Sequence, residues 1–220
     1  MTVRNGGGDG QQLPATSSSV TVTTEAALAN TTPASFLSEY LQKWRGANEA
    51  PLPRESLRTL VISWSGAFIA ILVLAVLDQY AGPPLDFNFL IAPLGASAVL
   101  MFGVPAVKLS QPRNVIGGHS LSALVGILVR LVLQPQYGGG RANFVASALG
   151  MSLGLTAMQA TGTTHPPAGA TALIAASVQS IGDWRGFKFL LTAAVGSSIM
   201  VLVALMFNNL VPGRRYPTYW

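Results

Sequence analysis

The chain has 220 residues, half of them hydrophobic and only 10% charged, far below the roughly 25% charged residues of an ordinary soluble domain. Its net charge of +5 comes from basic residues scattered singly between apolar runs, without the clustered basic face that nucleic-acid binding needs. There is no cysteine, which excludes a disulfide framework, thiolate metal sites and cysteine chemistry; the composition points to a lipid bilayer as solvent, with no nucleic acid, cofactor or resident metal expected.

Residues 1–34 are rich in Gly, Ser, Thr and Ala and cannot bury enough apolar surface to offset the entropy of ordering, so they are predicted to be a disordered tail. Their Ser/Thr-rich, acid-poor composition faintly resembles an organellar transit peptide, against which stand the single Arg4 and the lack of amphipathicity. Residues 35–57 are predicted to be an amphipathic interfacial helix and linker: Phe36, Leu37, Tyr40, Leu41 and Trp44 recur at helical spacing, with Ser35 placed to cap. Such a helix fits the membrane interface or the cytoplasmic face of a membrane domain equally well.

A transmembrane domain is predicted over 58–220. Residues 59–77 carry no charge, about the span of a hydrocarbon core of roughly 30 Å. A second apolar stretch, 87–107, is interrupted by Pro93, Gly95 and Pro105, and a third, 115–133, contains His119 and Arg130. Residues 142–182 have no formal charge and are too long for one span, so the chain must turn back, with Gly162, Pro166 and Pro167 as the breakers. That predicts a fourth helix ending near Ala160, a short fifth from Pro167 to about Gln179, and a sixth over 189–211 followed by the anchors Arg214 and Arg215 and by interfacial aromatics.

The second and fifth segments match without a gap: APLGASAVL at 92–100 against PPAGATALI at 166–174. Each half of the domain therefore reads as long helix, short Pro/Gly-broken helix, long helix. The fold class expected is an all-α membrane protein of about six segments in two three-segment repeats, inverted if all six span and parallel if the short pair are re-entrant. Paired broken segments mark a transporter's binding site, and helix starts at proline put amide N–H groups and positive dipole ends inside the domain, which favours a small anion. Counting basic residues, both topologies place the two termini on the cytoplasmic or stromal side.

The run THPPAGATA at 164–172 resembles the signature of the HPP family of membrane proteins, named for that His-Pro-Pro. APLGASAVLMFG at 92–103, QPRNVIGGH at 111–119 and NNLVPGRRYPTYW at 208–220 are similar to the family's other common blocks, so the resemblance covers about residues 54–220. It implies an integral membrane protein of a bacterial, cyanobacterial or plastid membrane. In photosynthetic lineages it further implies similarity to nitrite transporters, while many bacterial members have no assigned function.

The residues expected to contact the anion are His165, Pro166, Pro167, Gly169, Thr164 and Thr171 around the second broken segment, Pro93, Gly95 and Ser97 around the first, and His119 and Arg113 on the third segment. His165 could bind an anion or shuttle a proton; capping of the fourth helix is the structural alternative. His119 follows Gly117 and Gly118, where another backbone can approach closely, and packing explains it as well as substrate contact. Arg113 reads equally as an anion attractor or an interfacial anchor. The function expected is transmembrane transport of a small anion, nitrite first. A sensor or assembly subunit without flux is the alternative. An intramembrane enzyme is disfavoured, because no Glu and only Asp78, Asp86 and Asp183 follow the first span. A homo-oligomer is compatible with the sequence.

Overall fold

The computed structural model describes residues 33–47, 49–133, 144–177 and 187–220; the amino-terminal tail up to residue 32, the expected helix end near Gln179, and Arg141 and Arg185 lie outside them. The chain divides into two units, residues 1–54 and 55–220. In the first, α1 covers Pro33–Lys43. It starts at Pro33, a residue suited to a first helical turn, so Ser35 lies inside the helix rather than before it. Phe36, Leu37, Tyr40, Leu41 and Trp44 are all exposed, and Tyr40 stacks on Phe36 and meets Trp44 edge-on.

The second unit is all helical among the described residues, with α2 (Leu57–Tyr80), the single turn α3 (Gly82–Leu85), α4 (Ala92–Ala98), α5 (Pro112–Leu133), α6 (Phe144–Thr161), α7 (Pro166–Ser177) and α8 (Phe187–Leu210). Ser56 caps α2, its Oγ accepting the Thr59 N–H at 3.2 Å. Four of these helices, α2, α5, α6 and α8, are long and apolar enough to cross a bilayer. Large side chains such as Trp64, Phe68, Leu72 and Val76 on α2 are exposed, as lipid permits and water does not. The core lies where α2, α4, α5 and α8 converge, on Leu74, Leu94, Met101, Phe102, Val115 and Met200.

The two expected short segments have one construction. α4 runs on through a π-helical turn, Val99–Gly103, to give an apolar helix of 12 residues. α7 also has 12. At 1.5 Å per residue each covers about 18 Å, short of a core of roughly 30 Å. Both start in the same register: the Leu94 N–H reaches the Ile91 carbonyl and the Ala168 N–H reaches the His165 carbonyl, each at 2.9 Å. Both follow non-helical chain, residues 87–91 and 163–165, whose backbone groups need partners inside the protein because lipid offers none. Asp78 Oδ1 accepts the Phe89 and Leu90 N–H groups at 2.8 and 3.3 Å, and Asn114 Nδ2 donates to the Thr164 carbonyl at 2.9 Å. The π turn is handled the same way. Asn208 donates to the Met101 carbonyl at 3.2 Å and Arg214 to the Phe102 carbonyl at 3.0 Å. Arg214, expected to reach outward as an anchor, thus folds back, and its second nitrogen meets Ser63 Oγ at 3.2 Å.

These contacts also say which helix ends share a face. The first turns of α2, through Ser63, lie with the residues after α8; the start of α5 lies with the carboxyl tail through Asn114 and Tyr219; and the end of α6 lies with the start of α5 through Arg113 and the Thr161 carbonyl. At the opposite face the end of α2 meets residues 89 and 90 through Asp78, and Lys188 near the start of α8 pairs with Asp86. So α2 and α5 leave the carboxyl-tail face, and α6 and α8 return to it.

Glycines bring α5 and α6 onto α7. A Cβ at Gly126 would strike the Ala172 carbonyl, one at Gly150 the Ala176 methyl, and one at Gly154 would lie 2.8 Å from the Ala172 Cβ. Contact between backbones is how membrane helices gain dispersion energy where no hydrophobic effect separates protein from solvent.

Candidate functional site

Two features of α5 deliver the site. Its Gly118 has no side chain where the non-helical chain before α7 comes against it: a Cβ there would lie 2.8 Å from the His165 Cβ and 3.0 Å from the Thr163 carbonyl. The next residue, His119, is thereby set beside His165, with ring centroids 5.1 Å apart and nearly edge-to-face at 66°.

One hydroxyl joins the rings. Ser97 Oγ, from α4, lies 2.8 Å from His119 Nε2 and 2.8 Å from His165 Nε2. The chain of contacts continues from His119 Nδ1 to Thr171 Oγ1 of α7 at 2.8 Å, and from His165 Nδ1 to the Leu109 carbonyl at 2.7 Å. Ser97, His119, His165 and Thr171 are each 0% exposed, so every polar atom here must find its partner in the protein.

Hydrogen accounting restricts this chain to a few arrangements. The Leu109 carbonyl can only accept, so His165 Nδ1 carries a hydrogen. With both rings neutral, His165 Nε2 accepts from the Ser97 hydroxyl, Ser97 Oγ accepts from His119 Nε2–H, and His119 Nδ1 accepts from Thr171. With one added proton on His165 Nε2, either Ser97 accepts from both Nε2–H groups and turns its own hydroxyl to the Pro93 carbonyl, or the bonds between the rings reverse, with His165 donating to Ser97, Ser97 to His119 Nε2, and His119 Nδ1–H to Thr171. Each of these arrangements satisfies all four ring nitrogens. The Pro93 carbonyl, 3.3 Å from Ser97 Oγ, is a resting acceptor while the hydroxyl turns between rings. A proton can therefore enter at one ring and be felt at the far end of the other, without a carboxylate in the chain.

The remaining residues singled out by sequence take varied places. Pro166 is exposed in the first turn of α7, and Pro167 and Gly169 are buried, where a Cβ at Gly169 would lie 3.4 Å from Met151 Cε. Thr164 contributes its carbonyl to Asn114. Gly95 faces away from the histidines, onto an apolar groove of about 440 Å³ lined by Trp64, Phe68, Ile71, Ala98 and Val99. Arg113 is exposed and bonds the Thr161 carbonyl at the end of α6 at 3.0 Å. It takes the capping role that the sequence allowed for His165, while His165 bonds no α6 carbonyl. Sequence reasoning did not find Leu109, whose part is played by a carbonyl that every residue has. It also gave no site role to Asn114, Gln111 or Tyr219, although the first two lie in the QPRNVIGGH block at 111–119.

The comparisons with known proteins agree with this architecture. The family model described as the transmembrane region of HPP matches residues 52–217. Two proteins of Dictyostelium discoideum described as transmembrane proteins are 40% identical over 186 residues and 41% identical over 191 residues. Each match covers 84% of this chain, and the chain spans 58% and 64% of the lengths of these relatives. No solved structure matches. With the family model covering most of its length and four helices fit to cross a bilayer, the chain belongs to the HPP family of integral membrane proteins.

Proposed function

We propose that this protein carries a small anion, nitrite by the family resemblance, across the membrane, and that the His119–Ser97–His165 chain couples that movement to a proton. The observation that carries the reading is the single Ser97 hydroxyl shared by two buried imidazoles. Buried ionisable side chains inside a membrane domain are expensive and mark solute or proton paths. An oxyanion taking the place of the mutual bonds would accept from the Ser97 and Thr171 hydroxyls and from a ring N–H, and one added proton on the ring pair would match its charge. Nitrite has a conjugate acid, so the same proton can travel with it. The scarcity of carboxylates beyond α2 supports a carrier over an enzyme.

The reading includes six crossings in two inverted repeats. α2 ends on the face opposite the carboxyl tail while α5 begins at the tail face, which supports a crossing by the chain through α4. α6 ends at the tail face while Lys188 near the start of α8 pairs at the other, which supports a crossing by the chain through α7. Before α4 the five non-helical residues 87–91, at about 3.3 Å each, add roughly 16 Å to about 18 Å of helix, and before α7 the three residues 163–165 add roughly 10 Å. Arg58, Lys108, Arg113, Arg214 and Arg215 all belong to the tail face, which supports the reading that both termini lie on the cytoplasmic or stromal side.

The test is uptake into proteoliposomes, comparing nitrite, nitrate, formate and chloride with and without a pH gradient. Saturable nitrite uptake that follows the gradient is expected. No flux of any anion would sink the reading and favour a sensor or assembly subunit.

A further inference from the structure

Three consecutive carbonyls of the Lys108–Ser110 turn are all taken by residues distant in sequence. Tyr219 Oη lies 3.0 Å from the Lys108 carbonyl, His165 Nδ1 donates to Leu109 at 2.7 Å, and Tyr216 Oη donates to Ser110 at 2.8 Å. The carbonyl that orients His165 is thus bracketed by two tyrosines of the carboxyl tail. Tyr219 has one hydroxyl hydrogen and two acceptors for it: besides the Lys108 carbonyl it lies 2.6 Å from Asn114 Oδ1, and Asn114 holds the Thr164 carbonyl, one residue before His165. On either acceptor it braces a segment that adjoins His165. The tail backbone is keyed in too, with the Thr218 N–H on Gln111 Oε1 at 2.8 Å and the Tyr216 N–H on Asn209 Oδ1 at 3.0 Å.

Tyr216 lies beyond the end of α8 at Leu210, yet it is the largest fully buried side chain among the described residues. A tail that only met headgroups would leave such a ring at the interface. Here its hydroxyl holds the Ser110 carbonyl, next to the Leu109 carbonyl that bonds His165. At the other end of the histidine chain, Thr171 bonds His119 within the α5–α7 contact.

We infer that the carboxyl-terminal tail is the closure of the histidine site on its own face: Tyr216 and Tyr219 hold the turn that anchors His165, and their release uncovers that ring from the tail side. The inference rests on His165 belonging to the transport site, and the two tyrosines are positioning residues, since neither touches Ser97 or His119. Opening of the site towards this face requires the two phenol bonds to break, whereas opening towards the other face leaves them intact.

The chain contains no cysteine, so Ala168→Cys supplies a single thiol, fully buried and one turn beyond His165. Its labelling by a membrane-impermeant thiol reagent is measured in liposomes, with reagent added on the tail face or on the opposite face. The measurement is repeated with Tyr216→Phe and Tyr219→Phe added, which remove two hydroxyls and keep both rings. Labelling from the tail face is expected to rise roughly tenfold per hydroxyl removed, with labelling from the opposite face unchanged. Equal rates with and without the hydroxyls, or an equal rise from both faces, would overturn the inference. Tyr219→Phe alone, on a ring already 37% exposed, makes the same comparison where the double variant folds poorly. No transported solute is needed, so a failed labelling test removes the gate alone and leaves the transport reading standing, whereas a failed flux assay removes the transport reading on which the gate rests.

Discussion

Ser97 and Thr171 hold opposite nitrogens of one imidazole, each 2.8 Å from His119. They occupy the same place in two stretches, APLGASAVL and PPAGATALI, that match without a gap, and the helices that carry them start in the same register. Removing either hydroxyl should therefore act on the same ring with different consequences. Ser97→Ala deletes the hydroxyl that bridges the histidines and takes the partner from both Nε2 atoms. Proton-coupled uptake should fall by roughly a hundredfold or more, the usual weight of a positioned proton-transfer group. Thr171→Val keeps the shape and both halves of the ring-to-ring link, so uptake should persist with a weaker dependence on the pH gradient. Initial uptake rates at several imposed gradients separate the two.

The matched stretches were legible in the sequence because proline, glycine and small residues in fixed order have few uses in a membrane helix other than breaking and packing it. The long helices were legible from uncharged length alone. What sequence could not supply was the direction of side chains around α4: Gly95 and Ser97 are two positions apart, and on a helix that turns them to different sides, one onto the groove and one onto the histidines. Nor could it separate Arg113 from the anion path, since a basic residue at a helix start reads the same whether it bonds solute or, as found, the Thr161 carbonyl.

Glycine substitutions provide a second test of that division. At Gly126 the obstacle is the Ala172 carbonyl, backbone that cannot swing aside, so Gly126→Ala should cost about 1–3 kcal/mol or more and lower the thermal midpoint in detergent. At Gly95 a Cβ meets nothing within 4 Å, and Gly95→Ala should gain up to about 1 kcal/mol of helix propensity with uptake unchanged. A folded Gly95→Ala protein without uptake would put Gly95 back into the binding site.

Asp78 should matter for entry into α4 rather than for solute. Its carboxylate serves the two amides of Phe89 and Leu90, and Asp78→Ala should destabilise the domain by about 1–3 kcal/mol for each amide left unpaired in the interior. Asp78→Asn, which keeps one acceptor oxygen, should recover most of the loss. Thermal unfolding of the three proteins gives the order; equal midpoints would show that the two amides find other partners.

The tail should loosen in alkali. Burial pushes the Tyr216 phenol above its usual range, so the fold favours its neutral form, and the stability it contributes is fully present below the ordinary phenol value of about 10 and is lost as pH rises beyond it. Thermal midpoints measured from pH 8 upward should stay level and then decline above about pH 10. Tyr216→Phe, which has nothing to ionise, should start lower and show a shallower decline.

The two matching short helices are held with different stiffness. α7 is seated against Gly126, Gly150 and Gly154 at backbone contact, where any sliding meets steep repulsion, whereas α4 borders open space at Gly95 and ends in a π turn, which already carries one residue more per turn than its neighbours. Mechanical compliance is thus concentrated on one side of the shared imidazole. A displacement that carries Ser97 away from one ring nitrogen and leaves Thr171 on the other needs only α4 to move, and α7 serves as the fixed frame against which that stroke is measured.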